Sequence, residues 1–404
     1  MPARPAVLSI RKAPRQRRSA HTVEAILEAA ALVLSTTLET PALLLDEERM
    51  MRNVARMQSR MDQLGVAFRP HVKTSKCLEV VKRQMAAGAR GITVSTLKEA
   101  EEFFRAGIND ILYAVGIVPN KLDHALKLIR EGLRLTLLLE SVAMAEQVAR
   151  HGAEHGVRYD VMIEIDTDGH RSGVKPGDPV LLQIAAALQG GARLKGVMTH
   201  AGASYDCATS EALQAMAEQE RSRCVAAATL LRNGGHACEV VSVGSTPTAL
   251  SAQHLEGVTE VRAGVYIFFD MVMVDVGVCT TDEVAISVLC TVIGHQADQG
   301  WVITDGGWMA MSRDLGHDHH GYGMVCDGDG KPVPELGFGK ANQEHGVLQW
   351  RGEAGVDITQ RFPVGSSLRI LPNHACATAA QHGQYHVIPQ NGGDSPVWPR
   401  FNGW

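Results

Sequence analysis

The stretch V-A-F-R-P-H-V-K-T-S-K, residues 66–76, opens as a short apolar strand and ends in a cluster of polar residues. Reading outward from it, the same grammar repeats. Strand-like runs are predicted at 66–73, 91–95, 110–115, 133–139, 159–166, 194–200, 239–243 and 260–264. Between them, apolar residues recur at helical spacing over 78–87, 97–106, 122–131, 143–156, 179–188, 210–232 and, briefly, 247–254. Eight strands alternating with helices specify an α/β protein of the (β/α)8 TIM-barrel type, whose active site lies at the C-terminal ends of the strands. Upstream, a strand at 42–46 leads into a helix over 47–63, whose Met50, Val54, Met57 and Met61 form an apolar stripe expected to face the core. Beyond about residue 277 the helical period stops. Runs at 284–292, 300–304, 347–351, 367–371 and 385–388 then read as antiparallel strands between Gly and Asp turns. The expected organisation is a basic extension over 1–38, a barrel over 39–276, and a β domain over 277–404 that the strand near 41–46 would join.

Composition narrows the function classes. With 404 residues, 45% hydrophobic, 21% charged and a net charge of −5, the chain is neither disordered nor a polycation, so a nucleic-acid role driven by global charge is not expected. No uninterrupted apolar run approaches the roughly 18 to 20 residues that span a bilayer, and the best candidate, 25–36, contains Glu28. Eight cysteines stand singly, without a C-x-x-C pair, which suits reduced thiols and a cytoplasmic location.

Residues 1–23 contain no acid and six basic side chains, and Thr22 is placed to cap a helix over 23–34. The text of 11–34 resembles the opening helix of TetR-type regulators, but the rest of a helix-turn-helix does not follow, so no base readout is expected. An organelle-targeting peptide is a second reading. A mis-set start or gene fusion is the simplest.

Three places carry chemistry. Lys73 ends the first barrel strand; there it is either a lysine snorkelling to solvent or an amine whose desolvation makes it a nucleophile, the condition for a Schiff base. Gly244, Ser245 and Thr246 follow the seventh strand and Gly264 the eighth, where barrels bind phosphate, although such a run can also be a plain turn. In H-A-C, His374 and Cys376 occupy alternate positions, so an extended backbone would project both from one face toward one metal; a buried, inert cysteine is the alternative. The H-D-H-H run at 317–320 reads as an exposed polar loop rather than a metal site.

Taken together, P-H-V-K-T-S-K (70–76), D-T-D-G-H-R-S-G-V (166–174), T-H-A-G-A-S-Y (199–205), V-G-S-T-P-T (243–248), D-G-G-W (305–308) and P-N-H-A-C-A-T (372–378) resemble the metal-activated, fold-type III pyridoxal phosphate enzymes acting on D-3-hydroxy amino acids. These include D-serine dehydratase, D-threo-3-hydroxyaspartate dehydratase and D-threonine aldolase. The resemblance implies an alanine-racemase-like barrel plus β domain, a homodimer, pyridoxal 5'-phosphate on Lys73, and catalytic roles for Lys73, Arg171 and His200. It places Arg171 at the cofactor's phenolic oxygen, His200 against the pyridine face, Tyr205 on the pyridine side, and Gly244, Ser245, Thr246, Gly264 and Tyr266 around the phosphate. His374 and Cys376 would hold a divalent metal, Zn²⁺ before Mn²⁺. H-x-C is the ligand pair of the family's dehydratases, whereas H-x-D is commoner in its aldolases, so a D-3-hydroxy amino acid dehydratase is expected. Carbon–carbon cleavage to glycine and an aldehyde is the alternative. A non-catalytic cofactor-binding or regulatory protein is a further one. Two features depart from or extend the pattern: Ser75 stands where the family usually has a second histidine, and E-H-G at 344–346 is expected to support the metal domain.

Overall fold

The computed structural model describes residues 38–316 and 321–404. The basic extension, its TetR-like helix and the H-D-H-H run at 317–320 lie outside the described residues. The chain starts with β1 (Ala42–Asp46) and α1 (Glu47–Gln63). Asp46 caps α1 by accepting the Arg49 N–H at 2.9 Å, and Glu47 and Glu48 oppose the helix dipole in its first turn. Met50, Val54, Met57 and Met61 are all buried, as the stripe requires.

The barrel follows as β2 (Ala67–Phe68), α2 (Leu78–Ala86), β3 (Ile92–Val94), α3 (Leu97–Arg105), β4 (Asp110–Gly116), α4 (Leu122–Arg130), β5 (Arg134–Leu139), α5 (Val142–His155), β6 (Tyr159–Glu164), α6 (Val180–Ala187), β7 (Ala192–Met198), α7 (Ser210–Asn233), β8 (Val240–Val243), α8 (Thr246–Ser251) and β9 (Glu260–Val261). All pairings are parallel, in the order β2-β9-β8-β7-β6-β5-β4-β3. The opening segment closes the ring by serving both neighbours. Arg69 and His71 donate to Val261 and Ala263 on one side, while Val72 donates to Thr93 on the other at 2.9 Å. The formal strand ends at Phe68, but these bonds carry the pairing on to Val72, and the Pro70 carbonyl also accepts from Thr93 at 2.8 Å. Leu112, Leu138, Met162 and Met198 pack inside the barrel.

The second unit begins after α9 (Met271–Asp275). Its elements are β10 (Ile286–Gln296), β11 (Trp301–Thr304), β12 (Gly323–Asp327), β13 (Pro332–Ala341), β14 (Gly346–Trp350), α10 (Ile358–Arg361), β15 (Ser367–Pro372), α11 (Ala375–Ala380), β16 (Gln384–Ile388) and β17 (Val397–Pro399). The sheet order β11-β14-β13-β12-β15-β10-β1-β16-β17, with β10 also pairing β11, closes six strands into an antiparallel barrel. β1 lies in this sheet, antiparallel to β10 but parallel to β16, so the unit is not wholly antiparallel as expected. Sequence reading missed β12 and β13. β13 carries Pro332, Pro334, Gly337 and Gly339, residues that ordinarily argue against a strand. Ser75 ties the two units together: its carbonyl accepts from the Tyr385 hydroxyl at 2.8 Å and from Arg400 Nε at 2.9 Å.

Candidate active site

The C-terminal ends of the barrel strands and the loop after β15 enclose a cavity of about 660 Å³. Lys73 enters it from the segment that closes the barrel. Lys76 does not line it, because its ammonium is held 3.0 Å from the buried carboxylate of Glu99. On the same wall, His200 follows β7 with Nδ1 3.0 Å from the Gly244 carbonyl. Glu220 of α7 braces both loops from below, accepting the N–H groups of Ala201 at 2.9 Å and Gly244 at 3.1 Å.

Bare backbone is required at two of these points. Gly244 has φ 133°, and a Cβ there would lie 2.1 Å from the Arg262 carbonyl oxygen. A Cβ on Gly264 would stand 3.0 Å from the His71 carbonyl oxygen. The Ser245 hydroxyl is 2.8 Å from the Ser204 hydroxyl and caps α8 through Thr248.

The opposite wall is a single turn. His374 and Cys376 are not on one extended strand, as expected; β15 ends at Pro372, His374 is the N-cap of α11, and Cys376 sits in its first turn. The two side chains still meet, because the cap-to-helix bend brings the imidazole and the thiol within hydrogen-bonding reach. The barrel positions this turn: buried Asp270 accepts the Ala375 N–H at 2.8 Å, and Val272 N–H donates to the Asn373 carbonyl. Asp314 lies 2.7 Å from His374 Nδ1, and Thr74 Oγ1, next to Lys73, lies 3.1 Å from Cys376 Sγ.

The electrostatics divide the same way. Burial drives His200 down to about 3, helped by the nearby Arg171 and Lys73 charges, and burial with Lys73 and Arg262 takes His71 well below its ordinary value. Both imidazoles are therefore neutral. The hydrogen bond and charge of Cys376, with that of Asp314, lift His374 to about 9 against the effect of burial. Burial works against the Cys376 thiolate, but the hydrogen bond and charge of His374 and the Lys73 ammonium outweigh it, and the thiol titrates below its ordinary value. Burial raises Asp270 to about 6.

Lys73, Arg171, His200, Tyr205, Gly244, Ser245, Thr246, Gly264, His374 and Cys376 all line the cavity. Tyr266 does not. Its ring is buried against Phe68 and its hydroxyl accepts from Gln84 at 2.7 Å, so its side chain belongs to the core and only its backbone approaches the turn, through Thr246. Glu344 and His345 are exposed in the β13–β14 turn and are not among the lining residues. Sequence reading missed His71, Arg262, Asp270, Asp314 and Asn373, which also line the cavity. His71 and Arg262 were legible in principle, since P-H-V-K and R-A-G fall at strand ends; Asp314 sits in an irregular loop with no periodic signal.

The lining fits a phosphorylated pyridine aldehyde. Lys73, Arg171 and Arg262 crowd positive charge around two imidazoles, and side-chain-free backbone at Gly244 and Gly264 leaves room for close approach of an anion. It also fits a divalent cation on the other wall, where an imidazole and an acidified thiol face each other.

Comparisons with known proteins agree. Residues 45–272 match the family "Alanine racemase, N-terminal domain" and residues 285–388 match "Putative serine dehydratase domain". The chain is 58% identical over 375 residues to the D-threo-3-hydroxyaspartate dehydratase of Delftia sp. (strain HT23), covering 91% of this chain and 98% of that one. The solved structure of that enzyme superposes with a TM-score of 0.89 at 58% identity, over 92% of this chain and 99% of that one. Identity is 30% both to the D-serine dehydratase of Dictyostelium discoideum, over 87% and 93% of the two chains, and to the D-threonine aldolase of Arthrobacter sp., over 89% and 91%.

Proposed function

Because the chain belongs to the family of pyridoxal phosphate-dependent, D-serine dehydratase-like lyases built on the alanine racemase fold, we propose that it dehydrates D-threo-3-hydroxyaspartate, releasing a 2-oxo diacid and ammonia. One observation carries this reading beyond likeness: the loop that bears Lys73 touches the thiol of Cys376, with Thr74 Oγ1 3.1 Å from Sγ. That contact supports a substrate orientation in which a molecule reacting at Lys73 carries its 3-hydroxyl toward the imidazole–thiol pair.

When bound, pyridoxal phosphate supplies an electron sink for charge at the substrate's Cα, and a divalent cation supplies Lewis acidity at the C3 oxygen. Lys73 would hold the cofactor, and its amine is the base placed to take the proton from Cα. Neutral His200 and His71 pack the site without adding charge. Arg171, which lines the cavity and stands 3.9 Å from the buried Glu164, would orient the cofactor's phenolic side. Gly244, Ser245, Thr246 and Gly264 would receive its phosphate. His374 and Cys376 would hold the cation, with Asp314 fixing the imidazole ring. The imidazole–thiolate pair is borderline-soft and favours Zn²⁺ over Mn²⁺.

We place the enzyme in the cytoplasm on the ground that its eight cysteines are all free. Among the described residues no helix is long and apolar enough to cross a membrane. We also propose a homodimer, whose mass light scattering reads.

The test of the reaction is direct. Purified enzyme is given D-threo-3-hydroxyaspartate, D-serine and D-threonine, and products are identified by mass. Ammonia with 2-oxo acids, fastest from hydroxyaspartate, is the expected result. Glycine with an aldehyde would overturn the dehydratase reading in favour of carbon–carbon cleavage.

A further inference from the structure

Away from the cavity, the barrel's flank brings three ligating side chains together. Asp123 stands in the first turn of α4, and His151 and His155 lie one turn apart toward the end of α5. Their ligand atoms all fall within 4.8 Å of one another. His151 Nε2 is 3.1 Å from Asp123 Oδ1, and the two imidazole rings are 4.5 Å apart between centroids. We propose that Asp123, His151 and His155 form a second metal site, separate from the catalytic pair, that takes a divalent cation of the zinc class.

The geometry supports this in three respects. Histidines at i and i+4 share one helix face, so both can turn a ring nitrogen to a common point. A tetrahedral ion with ligands at about 2.1 Å separates its donors by about 3.4 Å; His151 and Asp123 already meet that spacing, and exposed His155 is free to swing into it. The Tyr159 hydroxyl, 2.9 Å from His151 Nδ1, supplies the outer partner that a metal-binding imidazole ordinarily has. Because a hydroxyl both donates and accepts, it serves His151 in either tautomer.

One group opposes binding. The Arg130 guanidinium donates to the His155 carbonyl at 3.1 Å and keeps a positive charge near the site. Two imidazoles and one carboxylate nevertheless offer a cation of the zinc class a nitrogen–oxygen ligand set with open positions for water. The competing explanation is that the Asp123–His151–Tyr159 chain is only a tertiary link holding α4 and α5 against β6.

Zinc titration separates the two. Full-length Cys376→Ala protein, whose catalytic pair is broken, is dialysed against Zn²⁺ and its metal content measured. It should retain one zinc per chain, and Zn²⁺ should raise its melting temperature. Adding His155→Ala should weaken that binding at least tenfold and abolish the melting shift, while Asp123→Asn should weaken it by a smaller factor. His155→Ala in the otherwise native enzyme should leave turnover unchanged. Identical zinc titrations with and without His155→Ala, in protein that melts at the same temperature in chelator, would overturn the site.

Discussion

The two walls of the catalytic cavity are built on different principles. The barrel wall draws Lys73, His200, Gly244 and Gly264 from the ends of four separate strands, with buried Glu220 bonding two of the loops from within the core. The facing wall is one turn, His374 to Cys376, with the His374 side chain 48% exposed and the turn set by its hydrogen bonds to Asp270, Asp314 and Thr74. Position on the first wall comes from the core; position on the second comes from a few polar contacts. Changes on the barrel wall should therefore disturb cofactor binding or folding, and changes on the turn should disturb turnover while leaving the fold intact.

The largest expected effect is on the barrel wall. Lys73→Ala should lose the visible absorption of bound cofactor and reduce turnover by about 10⁴-fold, because one amine both anchors the cofactor and moves the α-proton. Retention of the absorption band would place the anchor elsewhere. Lys76 is an unpromising substitute, since Glu99 holds it at 3.0 Å.

On the turn, Cys376→Ala should keep the absorption band and the melting temperature of the cofactor-bound protein. Turnover should nevertheless fall by on the order of 10²- to 10³-fold, because hydroxide leaves poorly without a Lewis acid. Chelation should reproduce that loss in the unsubstituted enzyme. If Cys376→Ala also expelled the cofactor, the two walls would not be separable and the contrast would fail.

Legibility in the sequence follows the same divide. The barrel was readable because its strands are apolar runs of regular spacing and its reactive residues fall where those runs end; all eight strands lie inside the expected segments or within two residues of them. Tyr266 shows the limit of that reading. A residue two positions past Gly264 looks placed for phosphate, yet its aromatic ring gains more from burial against Phe68 than from the cavity. The turn was legible as a ligand pair but not as a shape. Nothing in H-A-C announces that the chain bends into a helix at Ala375; Asp270 fixes that bend from 105 residues away. Asp314 was invisible for the same reason, since its role exists only once the loop before residue 317 folds over His374.

Asp314 offers the next test. Asn in its place keeps the shape but removes the charge that orients His374 Nδ1, so Asp314→Asn should weaken metal binding by about 10- to 100-fold. Turnover should recover in excess metal, a rescue that damage to the fold would not allow. Failure of added metal to restore activity would mean that Asp314 acts on something other than the imidazole.

The smallest effect probes the barrel wall through pH. His200 titrates near 3 in the folded protein against an ordinary 6.5, so the unfolded chain takes up a proton first as pH falls. Stability from this group is complete above about pH 6.5 and is lost progressively between there and pH 3. At pH 5 the loss relative to pH 7 is about 2 kcal/mol, roughly 30-fold in the folding equilibrium. Asp270 works the other way over part of the range. Its folded value of about 6 exceeds the usual 3.8, so the folded state binds the proton first and gains stability as pH falls between those values. His71, lowered like His200, and His374, raised, also contribute over this range, so a variant must isolate His200. In cofactor-free protein, His200→Asn retains a donor for the Gly244 carbonyl but cannot titrate. Urea midpoints should drop less between pH 7 and pH 5 in the variant than in the native chain, and equal shifts in both would mean that His200 titrates in the folded state as it does in the unfolded chain.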